Sequence, residues 1–298
     1  MKFRLRFISC FVACTPFSAA LSQSPPGTSQ PSTLTLPFFV SDEHKHPVAG
    51  ITPSDISVFE DSKTPLTVLA VRNASELRLR LGLLIDTSNS QRESSNYREA
   101  MQRKQDFLLD VLKNPEDRAF IMAFTDSARF TEFLTRDQIP LARIDTQPRG
   151  GTALYDAIVF ACERFMKKDP VIAARRVLVL LTDGEDDASH VTRSEAVAAA
   201  QEAGVVIFSL STGENQSEVR GTRVLQELSA STGGEFIDLQ DRGVKKALAE
   251  VEEQLGGMYG VTFAPVTSGG TDHHHAFELK PLPGKKLKLR APQEYYVP

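Results

Sequence analysis

Three short segments carry side chains whose types and spacing could do chemistry together. Asp86-Thr87-Ser88-Asn89-Ser90 sets a carboxylate and two hydroxyls at alternate positions. Gly150-Gly151-Thr152 adds a third hydroxyl, and Thr182-Asp183-Gly184 adds a second carboxylate. Asp86, Ser88, Ser90, Thr152 and Asp183 offer oxygen alone, since these loops contain no thiolate and no imidazole. An oxygen-only donor set suits a hard divalent cation, Mg²⁺ first, with Ca²⁺ or Mn²⁺ as alternatives. Few direct carboxylates combined with neutral hydroxyls would leave such an ion under-neutralised, so it should accept an acidic group from another molecule. Gly150 and Gly151 supply the backbone freedom that brings Thr152 close. Taken alone, Asp86 could equally cap a following helix.

Rival chemistries are weaker in the same residues. A hydrolase would take Ser88 or Ser90 as nucleophile and His190, which follows the Asp183 loop, as base. The chain has no Gly-x-Ser-x-Gly elbow and no evident pair of base and orienting group. Phosphoryl transfer from Asp86 would want a second carboxylate two positions on, where Ser88 stands, and the Gly-rich phosphate loop with its Lys is absent. His273-His274-His275 is the rival metal site. Successive side chains of a strand point to opposite faces, so three adjacent imidazoles cannot converge, and the run is expected to be an exposed turn. Asp156 is expected to face the start of a helix, and Glu185, Asp186 and Asp187 to be solvated.

The elements that must position these loops can be read from hydrophobic period. From 78 to 255, apolar runs alternate with amphipathic stretches: strand Leu79–Ile85, helix 93–113, strand Ala119–Phe124, a short edge strand Arg129–Leu134 and helix 153–168. Strand Arg176–Leu181, helix 191–203, strand Val205–Leu210, helix 222–231, strand Glu235–Asp238 and helix 242–255 follow. Buried strands alternating with helices specify an α/β, doubly wound and mostly parallel sheet. All three chemical segments then fall on loops where such a sheet places its ligands.

The flanks read as β. Residues 33–77 hold strands Leu34–Val40, Ile56–Glu60 and Leu66–Val71, and residues 257–298 hold Tyr259–Phe263, Ala276–Lys280 and Leu287–Arg290. Three short strands bury too little to stand alone. The tail should pair with 33–77 to complete one small β domain into which 78–255 is inserted.

The chain has 298 residues and a formal net charge of −4, which excludes a strongly basic nucleic-acid binder. Residues 1–22 combine basic Lys2, Arg4 and Arg6 with an apolar stretch ending in Ala20-Leu21-Ser22, the pattern of an export signal. A Pro/Ser-rich spacer, expected to be disordered, covers 23–32. Cleavage after 22 removes three positive charges and no negative ones, taking the net charge from −4 to −7. It also removes Cys10 and Cys14, so Cys162 cannot form an internal disulfide and reads as a small buried hydrophobe. No later apolar run reaches the ~20 residues that span a bilayer. The destination would be periplasm, outer surface or medium.

The order and context of Asp86-Thr87-Ser88-Asn89-Ser90, of Thr152 in Gly-Gly-Thr-Ala-Leu-Tyr-Asp-Ala-Ile, and of Asp183 in Leu-Leu-Thr-Asp-Gly-Glu-Asp resemble the metal-ion-dependent adhesion site of von Willebrand factor type A domains. Ile51–Asp61 before the domain and the ending from Tyr259 to Pro298 are similar to the flanks of the acidobacterial-type proteins of that family. The tail departs at Gln293-Glu294 and at His273–His275. The resemblance implies that Asp86, Ser88 and Ser90 anchor the ion while Thr152 and Asp183 bind directly or through water. It further implies that a Glu or Asp of a partner protein fills the open position, and that helix 242–255 shifts in some relatives. The reading is an exported, metal-dependent binding module that is not an enzyme. The alternative is a scaffold of a cell-envelope assembly that uses the same fold without metal.

Overall fold

The structure is a computed structural model and describes residues 33–167, 174–213, 219–265 and 273–296. The expected export signal (1–22) and spacer (23–32) lie outside the described residues. Four strands open the described chain: β1 (Leu34–Ser41), β2 (Ile56–Glu60), β3 (Thr64–Leu66) and β4 (Val68–Asn73). The single strand expected over Leu66–Val71 is two. Leu66 closes β3 beside β2, and Val68 opens β4 in the other sheet, so Thr67 is where the chain changes sheets.

The inserted α/β part runs β5 (Arg78–Asp86), α1 (Ser95–Val111), β6 (Arg118–Phe124), β7 (Ala128–Phe130), α2 (Leu154–Phe165) and β8 (Ala174–Thr182). It continues with α3 (Arg193–Ala203), β9 (Val205–Ser211), α4 (Val219–Ser231), β10 (Phe236–Asp238), α5 (Leu239–Arg242) and α6 (Val244–Gly256). The six strands lie in the order β10-β9-β8-β5-β6-β7, parallel except for the edge strand β7. Side-chain alternation fills both faces. Leu79, Leu81, Leu83 and Ile85 of β5 join the core beneath α1 and α6. Leu84 joins the opposite core with α2, α3 and α4. This is why β5 reads as a nearly unbroken apolar run. The expected helix 242–255 is α6, which starts just past Gly243, whose φ of +76° is a left-handed backbone that glycine adopts without strain; the one-turn α5 precedes it.

Four strands close the chain: β11 (Met258–Phe263), β12 (His274–Pro281), β13 (Lys288–Arg290) and β14 (Glu294–Tyr296). They interleave with the first four in two sheets, β13-β1-β11-β4 and β14-β12-β2-β3. One apolar core joins both sheets, with Phe263 of β11 stacked on Phe277 of β12 and edge-on to Tyr295 of β14. The fold is thus a doubly wound, mostly parallel sheet inserted in a small β domain built from both chain ends. Phe39, on the other face of β1, packs edge-on against Phe208 of β9, and the Arg290 guanidinium lies 4.6 Å from its ring centroid. The expected exposed turn at His273–His275 is corrected: His274 and His275 are the first residues of β12, opposite Tyr296 and Tyr295.

Candidate functional site

The sheet order creates the site. From β5 the chain crosses to β6 on one side and later to β8 on the other, so the carboxyl ends of β5 and β8 flank a switch point. Asp86 ends β5, and Asp183 directly follows β8. Asp86 is fully buried. One carboxylate oxygen accepts from the Ser88 N–H at 2.8 Å and the other from the Thr182 hydroxyl at 2.7 Å. The first bond turns the chain sharply after β5, and the Ser88 and Ser90 hydroxyls meet at 2.9 Å. The capping alternative for Asp86 does not hold, because α1 is capped by Ser94, whose hydroxyl accepts from the Tyr97 N–H.

Asp183 is buried as well. Its carboxylate accepts from the Glu185 N–H at 3.1 Å and from Gln91 Nε2 at 2.9 Å. Gln91 also donates to the Ser90 hydroxyl and accepts from the Thr212 hydroxyl, tying the first loop to the third. The second loop is stitched backbone to backbone: the Asn89 N–H donates to the Gly150 carbonyl and the Arg149 N–H to the Thr87 carbonyl. Gly150 has φ +71°. The Thr152 N–H donates to Asp187 Oδ1 at 2.7 Å, and its carbonyl accepts from the N–H groups of Asp187 and Ala188. These bonds bring the loops of Asp86, Ser88, Ser90, Thr152 and Asp183 to one end of the sheet.

The electrostatics of that end are unbalanced. Burial first, and then the neighbouring negative charge of Asp183, push the Asp86 carboxyl up to about 7 against the bonds from Thr182 and Ser88. The hydrogen-bond partners of the two carboxylates named above are neutral. Two buried carboxylates without a cationic partner are costly unless protonated or joined by a cation. The donor set is all oxygen, so a hard divalent ion fits the residues present.

Only the fold brings Gln91 and Asp187 to this arrangement and turns the Thr182 hydroxyl onto Asp86. Of the residues expected to be solvated, Asp187 is exposed, while Glu185 and Asp186 are half-buried. Asp187 nonetheless accepts from the Thr152 N–H, and Asp186 accepts from the Tyr155 N–H and the Ser189 hydroxyl at the start of α2. Asp156, in the first turn of α2, accepts from the His190 and Val191 N–H groups, and its Oδ2 lies 2.9 Å from His190 Nδ1. His190 therefore faces Asp156, whereas the Ser88 hydroxyl faces Ser90. Among the described residues neither serine hydroxyl is bonded to an imidazole. Cys162 is buried in α2, and burial pushes its thiol up to about 12, the behaviour of an inert core residue.

Comparison with known proteins adds the following. A family profile described as von Willebrand factor type A domain matches residues 81–185, a span that contains all five candidate ligands. Against curated protein sequences no match is found. Among solved structures, the chain is similar to an aerotolerance-related membrane protein of Bacteroides fragilis at 16% identity and TM-score 0.43, covering 59% of this chain and 98% of that one. A von Willebrand factor type A protein of Catenulispora acidiphila is 13% identical at TM-score 0.48, over 90% of this chain and 75% of that one. Proximal thread matrix protein 1 of the mussel byssus, solved with a zinc-occupied adhesion motif, is 20% identical at TM-score 0.49, over 64% and 48%. The profile match, the three ordered segments and the doubly wound sheet that holds them at its switch point identify a von Willebrand factor type A domain within this chain.

Proposed function

We propose that the chain is an exported protein-binding module that engages an acidic residue of a partner protein through a divalent cation. Mg²⁺ is the first candidate, with Ca²⁺ or Mn²⁺ as alternatives, and Asp86, Ser88, Ser90, Thr152 and Asp183 hold it. The observation that carries this reading is the pair of buried carboxylates, Asp86 and Asp183, whose hydrogen-bond partners are neutral and whose loops also carry Ser88 and Ser90, with the Thr152 loop stitched to them. The bound cation would neutralise that pair and keep one coordination position for a carboxylate from outside. Asp86 orients Ser88 through the Ser88 N–H, Gln91 orients Asp183 and Ser90, and Asp187 holds the Thr152 backbone.

A protein partner, rather than a small acid, is favoured by the surface beside the Thr152 loop. A groove of about 320 Å³ there is lined by Thr125, Ala153, Asp156, Phe130 and Phe160. Phe130 and Phe160 are exposed with ring centroids 5.2 Å apart, a place for an apolar side chain next to an acidic one. Export rests on the pattern of residues 1–22. Among the described residues no helix is long and apolar enough to cross a membrane. Binding without catalysis is supported by the partners of the would-be catalytic groups, since His190 pairs with Asp156 and the Ser88 hydroxyl with Ser90.

The test is calorimetric titration of Mg²⁺, Mn²⁺ and Ca²⁺ into EDTA-stripped protein, with and without an Asp- or Glu-bearing peptide, beside Asp86→Ala. Saturable binding by the wild type that the variant lacks supports the reading. No binding in either condition overturns it in favour of the metal-free scaffold. The scaffold reading has one observation on its side, since both carboxylates already have hydrogen-bond partners without an ion.

A further inference from the structure

The β-sandwich holds a second group of metal-ligating side chains, separate from the loops at the switch point. Glu60 ends β2, Asp61 follows it, and His275 lies near the start of β12. Their ligand atoms all fall within 4.8 Å of one another. The register explains the meeting. β2 and β12 are antiparallel with Glu60 opposite Phe277, so His275, two residues before Phe277, passes over the end of β2. The Asp61 N–H donates to the Ala276 carbonyl at 3.1 Å and fixes the turn against that strand. Asp61 and Ser62 adopt left-handed backbone at φ +50° and +61°.

The surroundings orient the ligands as neighbouring groups do in metal sites. Glu60 is 4% exposed, and its Oε2 accepts from the Tyr295 hydroxyl at 2.7 Å. The Tyr295 ring stacks on the His275 imidazole at 5.3 Å between centroids, and His275 Nδ1 lies 3.3 Å from Glu60 Oε1. A bare ion pair would need only Glu60 and His275. Asp61 brings a second carboxylate into the same few ångströms, so two anions face one imidazole, a charge balance that a divalent ion completes. One imidazole with two carboxylates is a borderline donor set suited to zinc, in contrast to the all-oxygen set above.

We propose that Glu60, Asp61 and His275 bind a zinc ion that clips the N-terminal β segment to the C-terminal one. The whole inserted domain lies between these ligands in sequence, so the ion closes a very long loop, where a cross-link constrains the unfolded chain most. The site uses none of the five residues proposed for the partner-binding ion.

The test is zinc chloride added to the EDTA-stripped full chain carrying Asp86→Ala, which silences the upper site, read by metal content after desalting and by thermal unfolding. One zinc per chain should be retained, and Tm should rise by about 5–10 °C at a hundredfold excess over Kd. Both effects should vanish in His275→Phe, which keeps a ring to stack on Tyr295, and in Asp61→Asn, which keeps a residue that tolerates left-handed backbone. Mg²⁺ binding at the upper site should be unchanged in these two variants when Asp86 is present. Should Asp86→Ala fail to fold, the same titration of otherwise wild-type protein should show one zinc fewer in His275→Phe. Zinc retention and Tm that ignore both substitutions, or no zinc retained at all, overturn the proposal without touching the Mg²⁺ reading.

Discussion

The two polar clusters of this molecule are assembled by different physics. At the switch point of the parallel sheet, ligand candidates sit on loops stitched to one another by backbone bonds, such as Asn89 to Gly150 and Arg149 to Thr87. All lie within one continuous stretch, and each follows a strand or precedes a helix whose position is fixed by burial on both faces. In the sandwich, Glu60 and His275 come from opposite ends of the chain and are aligned by strand register and by a side chain, Tyr295. Backbone-held oxygens of uniform type suit an ion that exchanges ligands with a partner. A mixed set held by an aromatic side chain suits a fixed structural ion. On the two proposed readings, partner binding and cohesion use different groups, and substitutions should separate them.

The largest separation should come from Asp86→Asn. It should weaken Mg²⁺ binding by at least about 100-fold, because one of only two carboxylates is lost. Yet in EDTA at pH 8 the variant should melt no lower than wild type, since it removes one of two neighbouring buried charges. Equal losses of stability and Mg²⁺ binding would break the distinction between a binding site and a structural one.

The effect of pH comes next. Without metal the Asp86 carboxyl is raised to about 7, above its unfolded value of about 3.9. Between those values the native state holds the extra proton, so metal-free stability should decline as pH rises from about 4 to 7. A cation must displace that proton, and apparent Mg²⁺ affinity should therefore drop about tenfold per pH unit below about 7. Calorimetry from pH 5 to 8 checks this, and a flat profile contradicts the buried-pair account. Zinc binding in the sandwich should not follow the Asp86 titration.

A smaller effect is expected for Tyr295→Phe, which leaves Glu60 buried without that donor. It should cost about 1–3 kcal/mol by chemical denaturation and weaken zinc by about tenfold, with Mg²⁺ binding intact. Loss of Mg²⁺ binding instead would mean that the two regions are coupled. The smallest is Gly150→Ala at φ +71°. It should cost about 1–2 kcal/mol of stability, with Mg²⁺ affinity reduced through the Thr152 loop and zinc binding unaffected.

Much of the inserted domain was legible because its signals are local. β5, β6, β8 and β9 are apolar runs covered on both faces, and the three chemical segments announce themselves by residue type and neighbours. Boundaries slipped where a single residue redirects the chain. Thr67 moves it between sheets, and Gly243 separates α6 from the one-turn α5, which has no period long enough to read. The short strand β14 was missed because three residues, Glu294–Tyr296, show no alternation long enough to read. His275 was read as part of a turn because its partners Glu60 and Tyr295 are not its sequence neighbours.

By itself, the sequence determined the alternation of strands and helices, the oxygen character of the three loops and the β nature of both ends. Each of these follows from side-chain period and type over a few residues. Tertiary structure alone decided that Asp86 and Asp183 are buried together with Gln91 between the loops, and that Glu60, Asp61 and His275 meet. Both depend on which strands pair and in what register, and backbone hydrogen bonding across a sheet is blind to the distance along the chain.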